Sequence, residues 1–139
     1  MDTRTDYFKQ AVLDHIYLNA DIANIGDAAG LQNSVAAGNL YAALFTASAE
    51  ADYTDYARIA IPRTAGGFTR SGNVMSNTAQ ISFVKASGGT NVITRVAIYD
   101  ALTDGNQLHI QTLGTPITVT TNIQPIIEAA ALTITAGDA

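Results

Sequence analysis

From Asn39 almost to the C-terminus, apolar and polar residues alternate with a period of two, whereas the residues before Gly38 do not. In NLYAALFTA, residues 39–47, Leu40, Ala42 and Leu44 fall on one face and Tyr41, Ala43 and Phe45 on the other, which predicts a strand. Residues 56–62 repeat the pattern, with Ala57, Ile59 and Ile61 opposite Tyr56, Arg58 and Ala60. Shorter strands are expected at 68–71 and 80–85, separated by the turn signals Gly72-Asn73 and Ser76-Asn77. Residues 91–101 form the longest β-branched run and are apolar on both faces, as a central strand requires. Asp104-Gly105-Asn106 then reads as the turn of a hairpin with 107–112. Strands at 116–121, 125–129 and 132–135 complete the pattern, and Pro62, Pro116 and Pro125 are placed at strand ends, where a missing amide donor costs least.

The head of the chain follows a different period. Thr5 or Asp6 can cap a helix that sets Phe8, Val12, His15 and Ile16 on one stripe, leaves Lys9 and Asp14 off it, and ends near Leu18 or Asn19. Residues 21–38, rich in Gly, Ala and Asn, read as a hinge-like loop with at most one helical turn. The expected fold is therefore mainly β: an antiparallel β-sandwich, jelly-roll-like, with one N-terminal α-helix. Residues 1–38 would be a helix and connecting arm and 39–139 the sandwich body of a single domain. No repeat of fixed period argues for a solenoid or propeller.

Composition narrows the function classes. The chain has 139 residues, 47% hydrophobic and only 14% charged, so some apolar surface is expected to be covered by neighbours. A formal net charge of −5 is the wrong sign for a phosphate backbone, which argues against nucleic acid. The acidic start MDTRTDYFKQ is unlike a secretory signal and no run approaches membrane-spanning length, so a soluble chain without a membrane partner is expected. The absence of cysteine excludes disulfides and thiolate metal sites.

Candidate chemistry is sparse. His15 and His109 lack metal-ligand spacing and read as packed or exposed side chains. Asp100, Asp104 and Asn106 offer oxygens around a glycine turn, but their spacing is not that of a calcium loop and turn chemistry accounts for them. Glu50, Asp52 and Asp55 beside Tyr53 and Tyr56 invite comparison with a glycosidase carboxylate pair; an exposed acidic loop is the alternative. No serine lies in a nucleophile elbow and no glycine run has the context of a phosphate cradle. The expectation is a non-enzyme with no catalytic residues, no cofactor and no metal.

Taken in order, DYFKQAVLDHIY, IGDAAGLQNSVAAGNLYAALFTA, YTDYARIAIPR, SGNVMSNTAQISF and VAIYDA followed by the Gly105-Asn106 turn resemble a family of small bacteriophage virion proteins labelled tail-fibre-like. The resemblance spans nearly the whole chain and implies a structural role in a virion whose protein is made in the host cytoplasm. Its main reading is a capsid decoration (cement) protein, a homotrimer that binds the major capsid protein lattice and stabilises it by burying surface across several subunits. The alternative is a tail-fibre or tail-tip component that contacts other tail proteins or a host surface receptor. Shaft-forming heptads, collagen-like triplets and β-helix repeats are absent, which fits a compact knob or a surface cement. On either reading the helix offers Phe8, Val12 and Ile16, with Tyr7 and Tyr17 at its margin, as interface candidates, unless that stripe packs on the protein's own sheet. Tyr53, Tyr56 and Phe68 are the loop candidates.

Overall fold

The structure, a computed structural model, describes residues 3–137. It is mainly β, with antiparallel sheets in a sandwich-like arrangement and one N-terminal helix. Helix α1 spans Asp6–Tyr17 and is capped by Thr5, whose hydroxyl accepts from the Phe8 amide at 3.1 Å. The strands are β1 (Asn39–Phe45), β2 (Ile59–Pro62), β3 (Phe68–Ser71), β4 (Val74–Asn77), β5 (Ile81–Ser82), β6 (Asn91–Tyr99), β7 (Gln107–Val119), β8 (Ile126–Ile127) and β9 (Thr133–Thr135). They form a four-stranded sheet of order β2-β1-β6-β7, a three-stranded sheet β3-β4-β9 and a two-stranded sheet β5-β8.

One apolar cluster joins all three sheets and the helix. Leu40, Ala42 and Leu44 of β1 and Ile93, Val96 and Ile98 of β6 turn inward to meet Phe68, Met75, Phe83, Ile127 and Ile134 from the other sheets. The β6–β7 hairpin closes where expected, and Asp104 (φ 54°) and Gly105 (φ 73°) adopt the consecutive left-handed pair such a turn demands.

Three expectations change. Residues 107–112 and 116–121 are one strand, β7, with Pro116 in its interior. The pairing slips there, from Arg95↔Thr112 to Ile93↔Ile117, so Pro116 lies in a bulge of an edge strand and removes no ladder bond. Ser76-Asn77, read as a turn signal, lies in strand β4: the turn between β3 and β4 is made at Gly72 (φ 58°) alone, and Met75 is fully buried. The Asn77 side chain donates to the carbonyls of Ala79 (2.8 Å) and Glu128 (2.9 Å) and accepts from the Leu132 amide (3.0 Å), so the turn-like residue is a buried clamp between β4 and the approach to β9.

The third change concerns the helix face. The buried residues are Leu13 and Tyr17, with Ile16 and Leu18 packed beside them, while Phe8 is half exposed and Tyr7 more so. The inward stripe is thus rotated from the Phe8–Val12 line and lies on the protein's own sheets. Tyr17 meets Phe68 edge to face at 5.0 Å. Arg70 holds Asp14 through Nε–Oδ1 (2.6 Å) and Nη2–Oδ2 (3.0 Å). Arg63 donates to the carbonyls of His15 (2.7 Å), Ile16 (2.6 Å) and Ala37 (3.0 Å), supplying a cation to carbonyls at the helix C-terminus.

Residues 18–36 contain no helical turn. They close into a lobe: Ile22 and Leu31 exchange both backbone bonds (2.9 and 2.8 Å), Asn19 and Ser34 exchange two more, and the Asp21 carboxylate accepts from the Asn33 amide. Asp27 caps the tip by accepting from the amides of Ala29 and Gly30. Gly30 is required because a Cβ there would stand 2.0 Å from the Ile22 carbonyl oxygen. Ile25, Leu31 and Val35 face outward from this lobe.

Candidate functional site

Strand parity gives the four-stranded sheet a second face, opposite the core. Tyr41, Ala43 and Phe45 of β1 stand across from Tyr99, Ala97 and Arg95 of β6. The rings of Phe45 and Tyr99 stack with centroids 6.2 Å apart and planes only 4° from parallel. They share their face with the cross-strand pair Ala43 and Ala97, both fully buried. A guanidinium continues the stack at each end: Arg58 lies 3.8 Å from the Tyr99 centroid, and Arg95 lies 5.5 Å from that of Phe45. On the neighbouring strand β7, Leu108 and Ile110 are exposed.

Arg58 is held by a preformed cluster. Its Nε and Nη2 donate to the two Glu50 carboxylate oxygens, both at 2.9 Å, and its Nη1 donates to the carbonyls of Ala101 and Asp104. The Tyr56 hydroxyl donates to Glu50 at 2.8 Å and accepts from the Leu44 amide at 3.0 Å, tying the cluster to β1. The Arg58 hydrogen bonds hold the Glu50 carboxyl below its ordinary range. Burial, reinforced by Glu50, pushes the Tyr56 hydroxyl well up. Arg95, by contrast, donates to the Thr46 carbonyl (2.7 Å) and faces no carboxylate among the described residues.

The acidic loop is therefore structural in its detail. Glu50 is held ionised by Arg58, the wrong direction for a general acid. Asp52 and Asn91 clasp each other: the Asn91 side chain donates to the Asp52 carboxylate at 2.9 Å and accepts from the Asp52 amide at 3.0 Å. Asp55 accepts from the Ser87 hydroxyl. The Asp100 carboxylate accepts from the backbone and side chain of Asn106. Among the described residues no three His, Cys, Asp or Glu side chains gather where they could hold a metal. His15 Nδ1 is 2.7 Å from the Ala20 carbonyl, and His109 lies half-buried on β7.

The interface candidates separate into two groups. Tyr17, Tyr53 and Phe68 are buried in the chain's own core and present no surface to a partner, because they pack between the helix, the loops and the sheets. Burial pushes the Tyr17 hydroxyl up to about 12. The Tyr53 hydroxyl donates to the Val84 carbonyl at 2.8 Å. Tyr56 is partly buried, stacked on Phe83 and edge-on to Tyr53. Tyr7 and Phe8 are exposed on the helix, with Val12 and Ile16 intermediate. Alternation places Phe45, Arg95 and Tyr99 on strands, whereas Arg58, expected on the 56–62 strand, precedes β2; the convergence of the four depends on the register Phe45↔Arg95 and Tyr41↔Tyr99, which alternation alone does not specify.

The family comparison spans this whole arrangement. A family model described as Podophage GP4 fiber I protein gp80 matches residues 4–135. The chain belongs to that family. It is thereby a phage virion structural protein of a fibre family, in line with the resemblance in its sequence motifs. Both α1 and every strand of the gp80-family chain fall inside the matched span. No helix in the described residues is long and apolar enough to cross a membrane. No curated protein matches the chain.

Proposed function

We infer that the protein is a compact structural module of a podophage fibre, working by contact with other fibre subunits and turning over no substrate. The family match over residues 4–135 is the observation that carries this reading, and it favours the fibre over the capsid-decoration alternative. The geometry agrees with a contact role. The ionisable groups that might have done chemistry are spent on internal bonds, Glu50 on Arg58 and Tyr56, Asp52 on Asn91, and Asp100 on Asn106. On the outer side of the four-stranded sheet Phe45, Tyr99 and Arg95 form a half-buried aromatic and arginine stack, residue types enriched at protein contacts.

Immunogold labelling of purified particles tests this reading. Gold confined to the fibres is the expected result. Gold distributed over the capsid lattice would establish the decoration reading in its place, and absence of the protein from particles would remove both.

A further inference from the structure

We propose that the free edge of β7, at Ile110 and Thr112, pairs antiparallel with the same edge of a second copy of this chain, so that two four-stranded sheets join into one across a two-fold axis. The pairing rests on the fibre-subunit reading and names the strand through which copies join.

Hydrogen-bond parity across the sheet identifies the backbone groups left over. The Leu44 amide is taken by the Tyr56 hydroxyl and its carbonyl by the Ala51 amide, so both groups turn away from β6. Its cross-strand partner Val96 therefore turns toward β7, where Val96↔Gln111 and Ile98↔His109 are the hydrogen-bonded pairs. Ile110 and Thr112 alternate with these and point their N–H and C=O groups away from β6. β7 is the last strand of its sheet, and no loop amide or carbonyl among the described residues bonds to either residue. Both are exposed. Such a row of open donors and acceptors is a template for another strand.

This stretch of edge also lacks the devices that blunt edges, which are charge, proline and bulges. Between Asp104 and Glu128 the sequence contains no Asp, Glu, Lys or Arg, and Pro116 with its bulge lies beyond Thr112.

The occupant follows from the same parity. With the axis at Gln111, Ile110 faces the neighbour's Thr112 and Thr112 faces the neighbour's Ile110, and each pair exchanges two backbone bonds. No like charges meet in that arrangement. The opposite edge of the sheet is a poorer partner. The Arg63 amide bonds to the Gly38 carbonyl, which turns Ile59 and Ile61 toward β1 and leaves Ala60 and Pro62 facing out. Pro62 has no N–H, and its carbonyl is covered by Gly67, where a Cβ would stand 2.0 Å from the oxygen. Pairing of β7 with β2, the head-to-tail contact that closes a ring, therefore makes one exchanging pair in place of two.

Sedimentation of the full chain tests the pairing, with circular dichroism to verify folding of each variant. Wild type should be a concentration-dependent dimer, and added salt should preserve or strengthen it, since the contact is uncharged while each copy carries a net charge of −5. Ile110→Lys and Ile110→Glu alter an exposed side chain clear of the β6 ladder bonds. Each should weaken self-association about tenfold or more, roughly 1.4 kcal/mol, because like charges then meet as diagonal neighbours across the axis. Mixing the two variants should restore a dimer that contains one of each. Ala60→Lys, on the β2 edge, should leave the dimer unchanged. In wild type, amide exchange at Ile110 and Thr112 should slow as protein concentration rises. A chain that stays monomeric at the highest attainable concentration would overturn the proposal, as would a trimer as the smallest assembly or exchange at those amides that ignores concentration. So would single variants that associate like wild type, a mixture as weak as either variant alone, or loss of the dimer in Ala60→Lys. None of these outcomes depends on where the protein sits in the particle, so the fibre reading and the strand pairing can fail separately.

Discussion

The Tyr17 ring meets the Phe68 ring edge to face, centroids 5.0 Å apart and planes at 70°, and both residues are buried. This contact makes α1 part of the core. Leu13 enters the same cluster one turn earlier. Removing residues 1–20 should therefore abolish cooperative thermal unfolding and not merely trim an appendage, and Tyr17→Ala should cost about 3–5 kcal/mol in denaturant titrations. A truncated chain that unfolds cooperatively at the wild-type midpoint would show that the helix contributes no packing energy.

Arg63 fastens the same C-terminal end of that helix through its backbone. Its three carbonyl partners, His15, Ile16 and Ala37, belong to α1 and to the segment entering β1, so one guanidinium connects the helix, the lobe exit and the end of β2. Arg63→Ala should lose about 1.5–3 kcal/mol, the range for hydrogen bonds to a charged group. Limited proteolysis should then cut within residues 18–36 before the body, since the lobe would have lost its anchor. Arg63→Lys, a single point donor, should recover only part of the protection.

Much of the β body was legible because β1 and β6 are central strands whose apolar residues occupy both faces, with the large ones, Leu40 and Leu44 or Val96 and Ile98, two or four residues apart on the inner face. The errors fall where a residue has two meanings. Asn77 looks like a turn former, yet its amide is buried and fully bonded inside the sandwich. Pro116 looks like a strand terminator, yet a bulge on an edge strand accommodates it. On the helix, Phe8 and Val12 are as apolar as Leu13 and Tyr17, and only the position of Phe68 decides which pair turns inward. Aromatic type alone does not separate a contact residue from a core one, and Tyr17, Tyr53 and Phe68 are buried in the chain's own core.

Asn77 gives a direct test of the buried clamp. Asn77→Ala removes both donors and the acceptor at once, leaving the Leu132 amide and the Ala79 and Glu128 carbonyls without this partner. The expected loss is about 2–4 kcal/mol, with an unchanged m-value if the native fold persists. Asn77→Asp should be comparably damaging, because it substitutes an acceptor for the amide donor and buries a charge.

Acid should destabilise the protein in two windows. Burial holds the His109 imidazole below its ordinary value of 6.5, and its Nε2 has no hydrogen-bond partner, so the folded state binds that proton less readily than the unfolded chain. Its contribution is complete above pH 6.5 and is lost as pH falls toward the lowered folded value. Glu50 is held below its ordinary 4.5 by Arg58, so its contribution is complete above pH 4.5 and is lost as pH falls through its folded value. Stability measured by urea titration across pH should therefore decline first below pH 6.5 and again below pH 4.5. His109→Gln should flatten the first decline and leave the second, and Glu50→Gln should do the reverse. A single decline unaffected by either variant would assign the acid sensitivity elsewhere.

Tyr56 separates ring packing from hydrogen bonding within one side chain. Its hydroxyl takes the Leu44 amide proton and gives its own to Glu50, while its ring stacks on Phe83 at 6.5 Å. Tyr56→Phe keeps the ring and strands the β1 amide, for an expected loss of about 1–3 kcal/mol. Tyr56→Ala adds a cavity beside Phe83 and should cost about 3–5 kcal/mol. Because Glu50 retains its bidentate hold on Arg58 in the phenylalanine variant, the guanidinium stays over Tyr99 and the outer face keeps its shape. Tyr56→Phe should then lower the denaturation midpoint while leaving self-association through β7, which makes no hydrogen bond to Tyr56, within about twofold of wild type, a difference of roughly 0.4 kcal/mol. A parallel collapse of both would mean that the sheet carries the loss of the tyrosine hydroxyl from β1 through β6 to the β7 edge.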